Sequence, residues 1–337
     1  MPEVDSVIVI GASAGGYNAI ADVIAHLPES LNAAIFVVLH LSRNSLGDVL
    51  VQHIQKRTPL LCQLAVDEAP IERGHVYVAP PDFHLMVKQG TMRVIKSPHE
   101  NRWRPSIDVL FRSAAAAYDS RSIGIVLTGL LDDGTSGMGA IKRSGGKCIV
   151  QEPMEAEFAD MPTNVLNNVE VDYRVPIADM GYVIQHILSN LSVSMHQIPE
   201  DIKIEAAITE RRNTRMEELE QIGTRSNYTC PDCGGGLYEI KNDVITRFRC
   251  FTGHVYTANL LLEKQSEELE DSLWISIRML EERRNLLQRM ATQPDGNEEG
   301  SEDHKADKAE ELTQHIERLK KLLISINKNG AKAGGYE

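Results

Sequence analysis

Apolar and polar positions follow two rhythms along residues 4–190. Apolar-rich stretches at 5–10, 33–39, 60–64, 123–128 and 147–151 have the length of buried strands. Between them, 17–27, 46–57, 107–118, 137–144 and 177–191 carry apolar residues three and four apart, as in Ile20, Val23, Ile24 and Leu27, and these predict helices. Strands alternating with helices predict an α/β, doubly wound, mainly parallel sheet covered on both faces. The rhythm breaks between 66 and 95. There His75 to Val87 and Thr91 to Ile95 predict short strands in an antiparallel hairpin, interrupted by Pro80 and Pro81. Ser106 is placed to cap the helix beginning at Ile107, with Asp108 suited to its first turn.

Beyond about residue 196 the pattern changes again. Residues 201–222 are charged, helically spaced and poor in large apolar groups, which predicts a bridging helix. Leu262, Leu269, Leu273, Ile277, Leu280 and Leu287 form one helical stripe; Leu312, Ile316, Leu319, Leu322, Leu323 and Ile326 form another. The stretch 291–309 is polar, acidic and contains Gly and Pro, as linkers do. The expected division is an α/β unit over 1–195, a helical linker over 196–227, a small zinc-ribbon-like module over 228–257, a helical hairpin over 258–329 and a tail over 330–337. The two terminal helices are expected to pair with each other or to meet a partner helix.

Charge narrows the function classes. A formal net charge of -13 and a pI of about 5.4 argue against a nucleic-acid binder, because phosphate contacts need clustered Lys and Arg. No apolar run approaches the ~18 residues of a membrane helix, and the acidic N-terminus lacks a signal-peptide pattern, so a cytoplasmic protein is expected. Cys62 and Cys148 fall in predicted strands and read as buried free thiols. The other three cysteines cluster as Cys230-Pro-Asp-Cys233, then Cys250-Phe-Thr-Gly-His254. Two short knuckles offering three thiols and an imidazole suit a closed tetrahedral zinc site, structural rather than catalytic.

Candidate chemistry begins at Gly11-Ala-Ser-Ala-Gly-Gly. Ser13 sits on a tight turn between a strand and a helix, where glycines leave the hydroxyl uncovered and helix N–H groups favour negative charge. On the turn alone a nucleophile, a phosphate loop and a plain turn all stay open. A dinucleotide site would want G-x-G-x-x-G and an acid ending the next strand; that strand ends in His40 instead. A third strand, 123–128, runs into a Gly-rich turn carrying Asp132 and Asp133. Neighbouring parallel strands share one ligand-binding edge, so three strand ends can supply Ser, His and Asp there. A carboxylate on the far nitrogen of His40 would fix its tautomer, and His40 could then take the Ser13 proton.

Taken together, Gly11-Ala-Ser-Ala-Gly-Gly, Val38-Leu-His-Leu, Tyr77-Val-Ala-Pro-Pro-Asp-Phe-His-Leu, Arg104-Pro-Ser-Ile-Asp-Val-Leu-Phe, Leu127-Thr-Gly, Asp133-Gly and Gly137-Met resemble the chemotaxis protein-glutamate methylesterases of the CheB type. The resemblance covers residues 5–190. It implies Ser13 as nucleophile, His40 as base and Asp133 as the acid, with no cofactor for catalysis. It also implies hydrolysis of glutamyl methyl esters on methylated chemoreceptors, and some members deamidate glutamine too. Family members often carry a receiver domain ahead of the catalytic strand; that strand begins here at about residue 4, so a stand-alone form is expected. Ala14 stands where Thr is frequent, and Leu130-Leu131-Asp132 replaces a frequent Met-Gly-Asn. Backbone N–H groups at Ala14 and near Leu130 are the expected oxyanion hole, and Arg104 is a candidate substrate-side residue. The competing reading is a signalling adaptor that keeps the esterase fold and uses its zinc module and helices for protein contacts.

Overall fold

The computed structural model describes residues 4–40, 47–191, 197–212, 214–292 and 301–333. In chain order the elements are β1 (Val7–Ala12), α1 (Gly16–Ala25), β2 (Ala34–Leu39), α2 (Gly47–Gln55), β3 (Leu61–Leu64), β4 (His75–Val78), β5 (His84–Lys88), β6 (Thr91–Ile95), α3 (Ile107–Tyr118), β7 (Ser122–Val126), α4 (Thr135–Arg143), β8 (Lys147–Gln151), α5 (Asp160–Asn168), β9 (Tyr173–Val175) and α6 (Ile177–Asn190). Then follow α7 (Glu200–Arg211), α8 (Met216–Ile222), β10 (Gly223–Thr229), β11 (Gly236–Ile240), β12 (Arg247–Cys250), β13 (Val255–Thr257), α9 (Ala258–Thr292) and α10 (Ser301–Ala333).

The apolar runs become a seven-stranded sheet in the order β3-β4-β2-β1-β7-β8-β9, with every pairing parallel. Strand period two divides the core into two layers. Val7, Val9, Phe36 and Val38 face Leu110, Phe111, Met138 and Val165 from α3, α4 and α5. Ile8, Ile10, Ile35 and Val37 face Ile20, Ile24, Leu50 and Ile184 from α1, α2 and α6. β1 is central, which is why its residues are buried on both faces.

The structure departs from expectation in several places. His75–Val78 does not join a hairpin: it enters the main sheet between β2 and β3, while β5 and β6 alone form the antiparallel pair. Pro80 and Pro81 lie just past its end, so the strand is cut short there. The three-residue β9 carries too brief an apolar pattern to be seen in sequence. Cys148 is buried, its thiol pushed up to about 12 chiefly by burial, but Cys62 lies only half-buried on the edge strand β3. Residues 201–222 are not one bridging helix but fall into α7 and α8. In α7, Ile202 joins the core, and Glu205 and Thr209 are buried beside it. Helix α9 reaches Thr292 and α10 starts at Ser301, so the polar stretch between the helices is shorter than expected, with 293–300 outside the described residues.

The chain divides into two compact units, Met1–Leu260 and Leu261–Glu337. The first holds the sheet and the four-stranded antiparallel ribbon β10-β11-β12-β13. In the second, Ile277, Ala309, Ile316 and Leu323 are buried, and Lys320 pairs with Glu281 at 2.9 Å.

Candidate active site and candidate metal centre

The chain leaves β1 for β2 on one side, while β7 pairs on the other, so the strand order reverses beside β1. The carboxyl ends of these three strands therefore open onto the crevice where ligands of such sheets bind. Ser13 follows β1 there. Its N–H donates to Thr128 O at 3.0 Å, and Gly15 at φ +75° turns the chain into α1. A side chain at Gly15 would strike Glu157 and Thr128, and one at Gly129 would press on Ser13 Cβ at 2.8 Å and on Met161. The turn is thus shaped by close approach from two other loops.

His40 follows β2, its N–H still donating to Ala12 O at 3.2 Å. Its Nδ1 lies 3.2 Å from Ser13 Oγ and its Nε2 lies 2.8 Å from Asp133 Oδ2. Flipping the ring about Cβ–Cγ would turn carbons toward both oxygens, so the polar partners fix this orientation. A carboxylate accepts from Nε2–H, which leaves the Nδ1 lone pair for the Ser13 hydroxyl. Trp103 covers one face of the ring, stacked at 4.0 Å and 9°. The His40 side chain is fully covered.

Asp133, 2% exposed, is held by α3. Oδ2 accepts from Ile107 N at 2.7 Å; Oδ1 accepts from Asp108 N at 3.2 Å, Ser106 Oγ at 3.0 Å and Asn101 Nδ2 at 3.5 Å. Burial works against its charge, but the His40 contact and these N–H groups outweigh burial and hold the carboxyl below its ordinary range. Ser106 therefore does not cap α3 as expected. No side-chain cap bond is made, because Asp133 already takes the first N–H groups and the serine hydroxyl donates to it instead.

Asp108 returns the favour to the other helix: its Oδ1 accepts from Gly134 N at 3.0 Å and Gly137 N at 2.6 Å at the start of α4. Burial, reinforced by the nearby Asp133 charge, pushes Asp108 well above the carboxylate range. Asp132 stands apart from the imidazole; burial raises its carboxyl despite a hydrogen bond from Thr257.

The N–H groups of Ala14 and Leu130 have no acceptor among the described residues, whereas Ser13 N and Gly129 N are taken by Thr128 O and Phe158 O. Arg104 is not brought to this cluster. Its Nε and Nη2 donate to Asp82 Oδ1 at 3.0 and 2.6 Å and its Nη1 to Ser97 O at 2.7 Å. Sequence reasoning missed Asn101, Trp103 and Thr128 as site residues. Trp103 had one signal, as one of two tryptophans in the chain and next to the Arg104-Pro-Ser motif.

In the ribbon, one ligand atom from each of Cys230, Cys233, Cys250 and His254 lies within 4.8 Å of the others. Cys233 Sγ to Cys250 Sγ is 3.7 Å, Cys230 Sγ to His254 Nδ1 is 3.7 Å, and Cys250 Sγ to His254 Nδ1 is 3.6 Å. Ligands about 2.3 Å from a tetrahedral ion stand about 3.8 Å apart, so both the donor set and its spacing fit zinc.

Comparison with known proteins agrees with this geometry. The model of the CheB methylesterase family matches residues 8–184, more than half of the chain. A Leptospira interrogans protein named "Putative protein-glutamate methylesterase/protein-glutamine glutaminase" is 39% identical over 167 residues, covering 49% of this chain and 86% of the relative. A protein-glutamate methylesterase/protein-glutamine glutaminase of Maricaulis maris is 34% identical over 179 residues, 52% of this chain but only 44% of the relative. The crystal structure of the Thermotoga maritima CheB methylesterase catalytic domain superposes with a TM-score of 0.52 at 30% identity, covering 54% of this chain and 98% of that domain. The chain belongs to the CheB methylesterase family, whose members are carboxylic ester hydrolases.

Proposed function

We propose that this protein is a protein-glutamate methylesterase that hydrolyses glutamyl methyl esters on methylated chemoreceptor-like proteins. The observation that carries the reading is the unbroken contact chain from Ser13 Oγ through His40 to the buried Asp133 carboxylate. Ser13 Oγ attacks the ester carbonyl while His40 Nδ1 takes its proton. The oxyanion is received by the N–H groups of Ala14 and Leu130, each such donor being worth roughly 3–4 kcal/mol. His40 passes the proton to the departing methoxide, releasing methanol. Water then cleaves the acyl-serine by the same route, leaving glutamate. Asp133 fixes the imidazole and stabilises its cationic form. The same acyl chemistry acting on glutamine would release ammonia, as the names of the relatives include. Arg104, held by Asp82 and Ser97, takes no part in these steps.

In this reading residues 1–195 form the catalytic region, 228–257 a structural zinc module through Cys230, Cys233, Cys250 and His254, and 258–329 a pair of helices that meet each other or a partner. No helix of the described residues is long and apolar enough to cross a membrane.

The test is methanol release from methylated receptor by wild type and Ser13→Ala, together with labelling by a serine-reactive phosphonate. Wild type is expected to exceed the variant by at least a thousandfold, with the label on Ser13. Equal release across several methylated substrates and an unlabelled Ser13 would leave the adaptor reading in its place. Metal analysis of protein purified without chelator is expected to find zinc.

A further inference from the structure

Segment 99–107 surrounds the catalytic pair. It carries Trp103, stacked on His40, and Asn101, Ser106 and Ile107, which with Asp108 just past its end supply the contacts to Asp133 other than that of His40. Its own inner bonds are few: Trp103 N donates to Glu100 O at 2.9 Å and Glu100 N to Trp103 O at 3.3 Å, closing a tight turn with Asn101 and Arg102 at positive φ. From outside, the ribbon holds this turn together with α3, where Asp108 Oδ2 accepts from Asn101 Nδ2 at 2.8 Å. Asn101 N donates to Val255 O at 3.0 Å and Val255 N to His99 O at 3.4 Å, so the segment lies along β13 as an added strand. The Glu100 carboxylate, 1% exposed, accepts from Arg249 Nη1 of β12 at 3.1 Å and from Arg112 Nη2 of α3 at 2.5 Å. Arg249 directly precedes Cys250, and Val255 directly follows His254. Both clamps therefore adjoin candidate metal ligands.

We propose that the metal site is a control element for the esterase: metal at Cys230, Cys233, Cys250 and His254 fixes β12 and β13, these fix segment 99–107, and the segment fixes His40 and Asp133. The ribbon has four- and three-residue strands at its clamp edge, and modules that small depend on their metal for a defined fold. Metal loss frees Asn101 and Trp103 and leaves the imidazole unsupported on one face. The proposal rests on the reading of Ser13, His40 and Asp133 as a catalytic unit, and goes beyond it by making the C-terminal module part of that unit's support.

The test uses the full chain with Trp274→Phe, which leaves Trp103 as the sole tryptophan. Zinc-loaded protein, chelator-stripped protein and protein given zinc again are compared by phosphonate labelling of Ser13, amide hydrogen exchange and tryptophan emission. Stripping is expected to slow labelling at least tenfold, to open the amides of 99–107 and to shift Trp103 emission to the red, with β1 and β7 still protected; zinc is expected to reverse all of it. Labelling within twofold in demonstrably metal-free protein overturns the proposal, as does failure of the purified protein to take up zinc. If stripping also opens β1 and β7, the paired substitution Glu100→Gln with Arg249→Leu decides. It cuts the clamp without changing the net charge of the buried network, Arg112 keeping Glu205 at 3.4 Å, and labelling must fall tenfold with zinc still bound, or the proposal fails. Zinc-loaded protein that is never labelled, yet whose 99–107 amides respond to metal, sinks the esterase reading and leaves the coupling standing.

Discussion

At the scale of single residues, Asp133 and Asp108 show how two neighbouring carboxyls acquire different states. Asp133 has His40 and two helix N–H groups; Asp108 has two N–H groups of its own and the Asn101 amide at 2.8 Å, but also the Asp133 charge beside it in a buried site. Asp133→Asn is expected to cut kcat about 10⁴-fold, because an amide presented to Nε2 no longer enforces the tautomer. Asp108→Asn is expected to keep activity within a few-fold and stability within about 1 kcal/mol. A protonated acid and an amide place the same carbonyl before Gly134 and Gly137, and Asn101, whose Nδ2 donates to Asp108 Oδ2 at 2.8 Å and whose Oδ1 is buried without a partner, can turn its amide over to accept from the new N–H. Steady-state kinetics and urea unfolding at neutral pH separate the two variants. The pH dependence follows from the signs. Asp133 and Glu100 both sit below their ordinary range, with burial opposed by His40 at one and by Arg112 and Arg249 at the other. Their contribution is present above the unfolded carboxylate values and is lost as pH falls through the lowered ones. Asp108 acts in the opposite sense, its raised value costing stability above the unfolded pKa. Unfolding titrations from pH 7 to 3 should show Asp133→Asn with a shallower acid loss than wild type. Ser13, His40 and Asp133 were legible in sequence as candidates because each lies just past the end of a strand or in the turn that follows it. Asn101 and Trp103 were not, since they lie in an irregular turn whose neighbours come from distant parts of the chain.

At the scale of elements, α3 and α4 cap each other: each first turn is closed by an acid from the other's approach, Asp133 for α3 and Asp108 for α4. No local capping pattern announces this, which is why Ser106 was misread as the cap. The main strands and helices were visible in periodicity. β4 was not assigned to the sheet, because parallel pairing is a choice among distant partners that an isolated strand pattern does not encode. The nucleophile turn is likewise an assembly of loops. Gly129→Ala is expected to lower kcat by ten- to a hundredfold with a small change in unfolding midpoint. Its Cβ would press on Ser13 at 2.8 Å, while Met161, the closer contact, is flexible enough to yield. Circular dichroism beside kinetics checks this, and an inactive variant that has also lost its fold would contradict it.

At the scale of the molecule, α3, α7 and the ribbon meet across a buried ion network. Glu205 accepts from Arg247 Nη1 and Nη2 at 3.1 and 3.0 Å, Glu100 joins Arg112 and Arg249, and Arg247 also pairs with Asp243. Glu205, like Glu100, is held below its usual range against burial by these arginines. Hydrophobic periodicity cannot see a contact made of charges, so residues 201–222 read as a bridging helix. Glu205→Ala is expected to cost about 3–5 kcal/mol in urea unfolding by leaving three buried arginines short of one carboxylate. Glu205→Ala with Arg247→Met should recover part of that loss. The clamp on Glu100 also orders the molecule in time. The three proposed catalytic residues precede residue 134, yet Arg249, which joins Arg112 on Glu100, and the strand that seats Asn101 come after residue 246. A chain growing from its N-terminus completes the esterase sequence long before it completes the esterase. For the same reason a fragment trimmed to residues 8–184 would end at the family boundary with the inner half of an ion pair exposed.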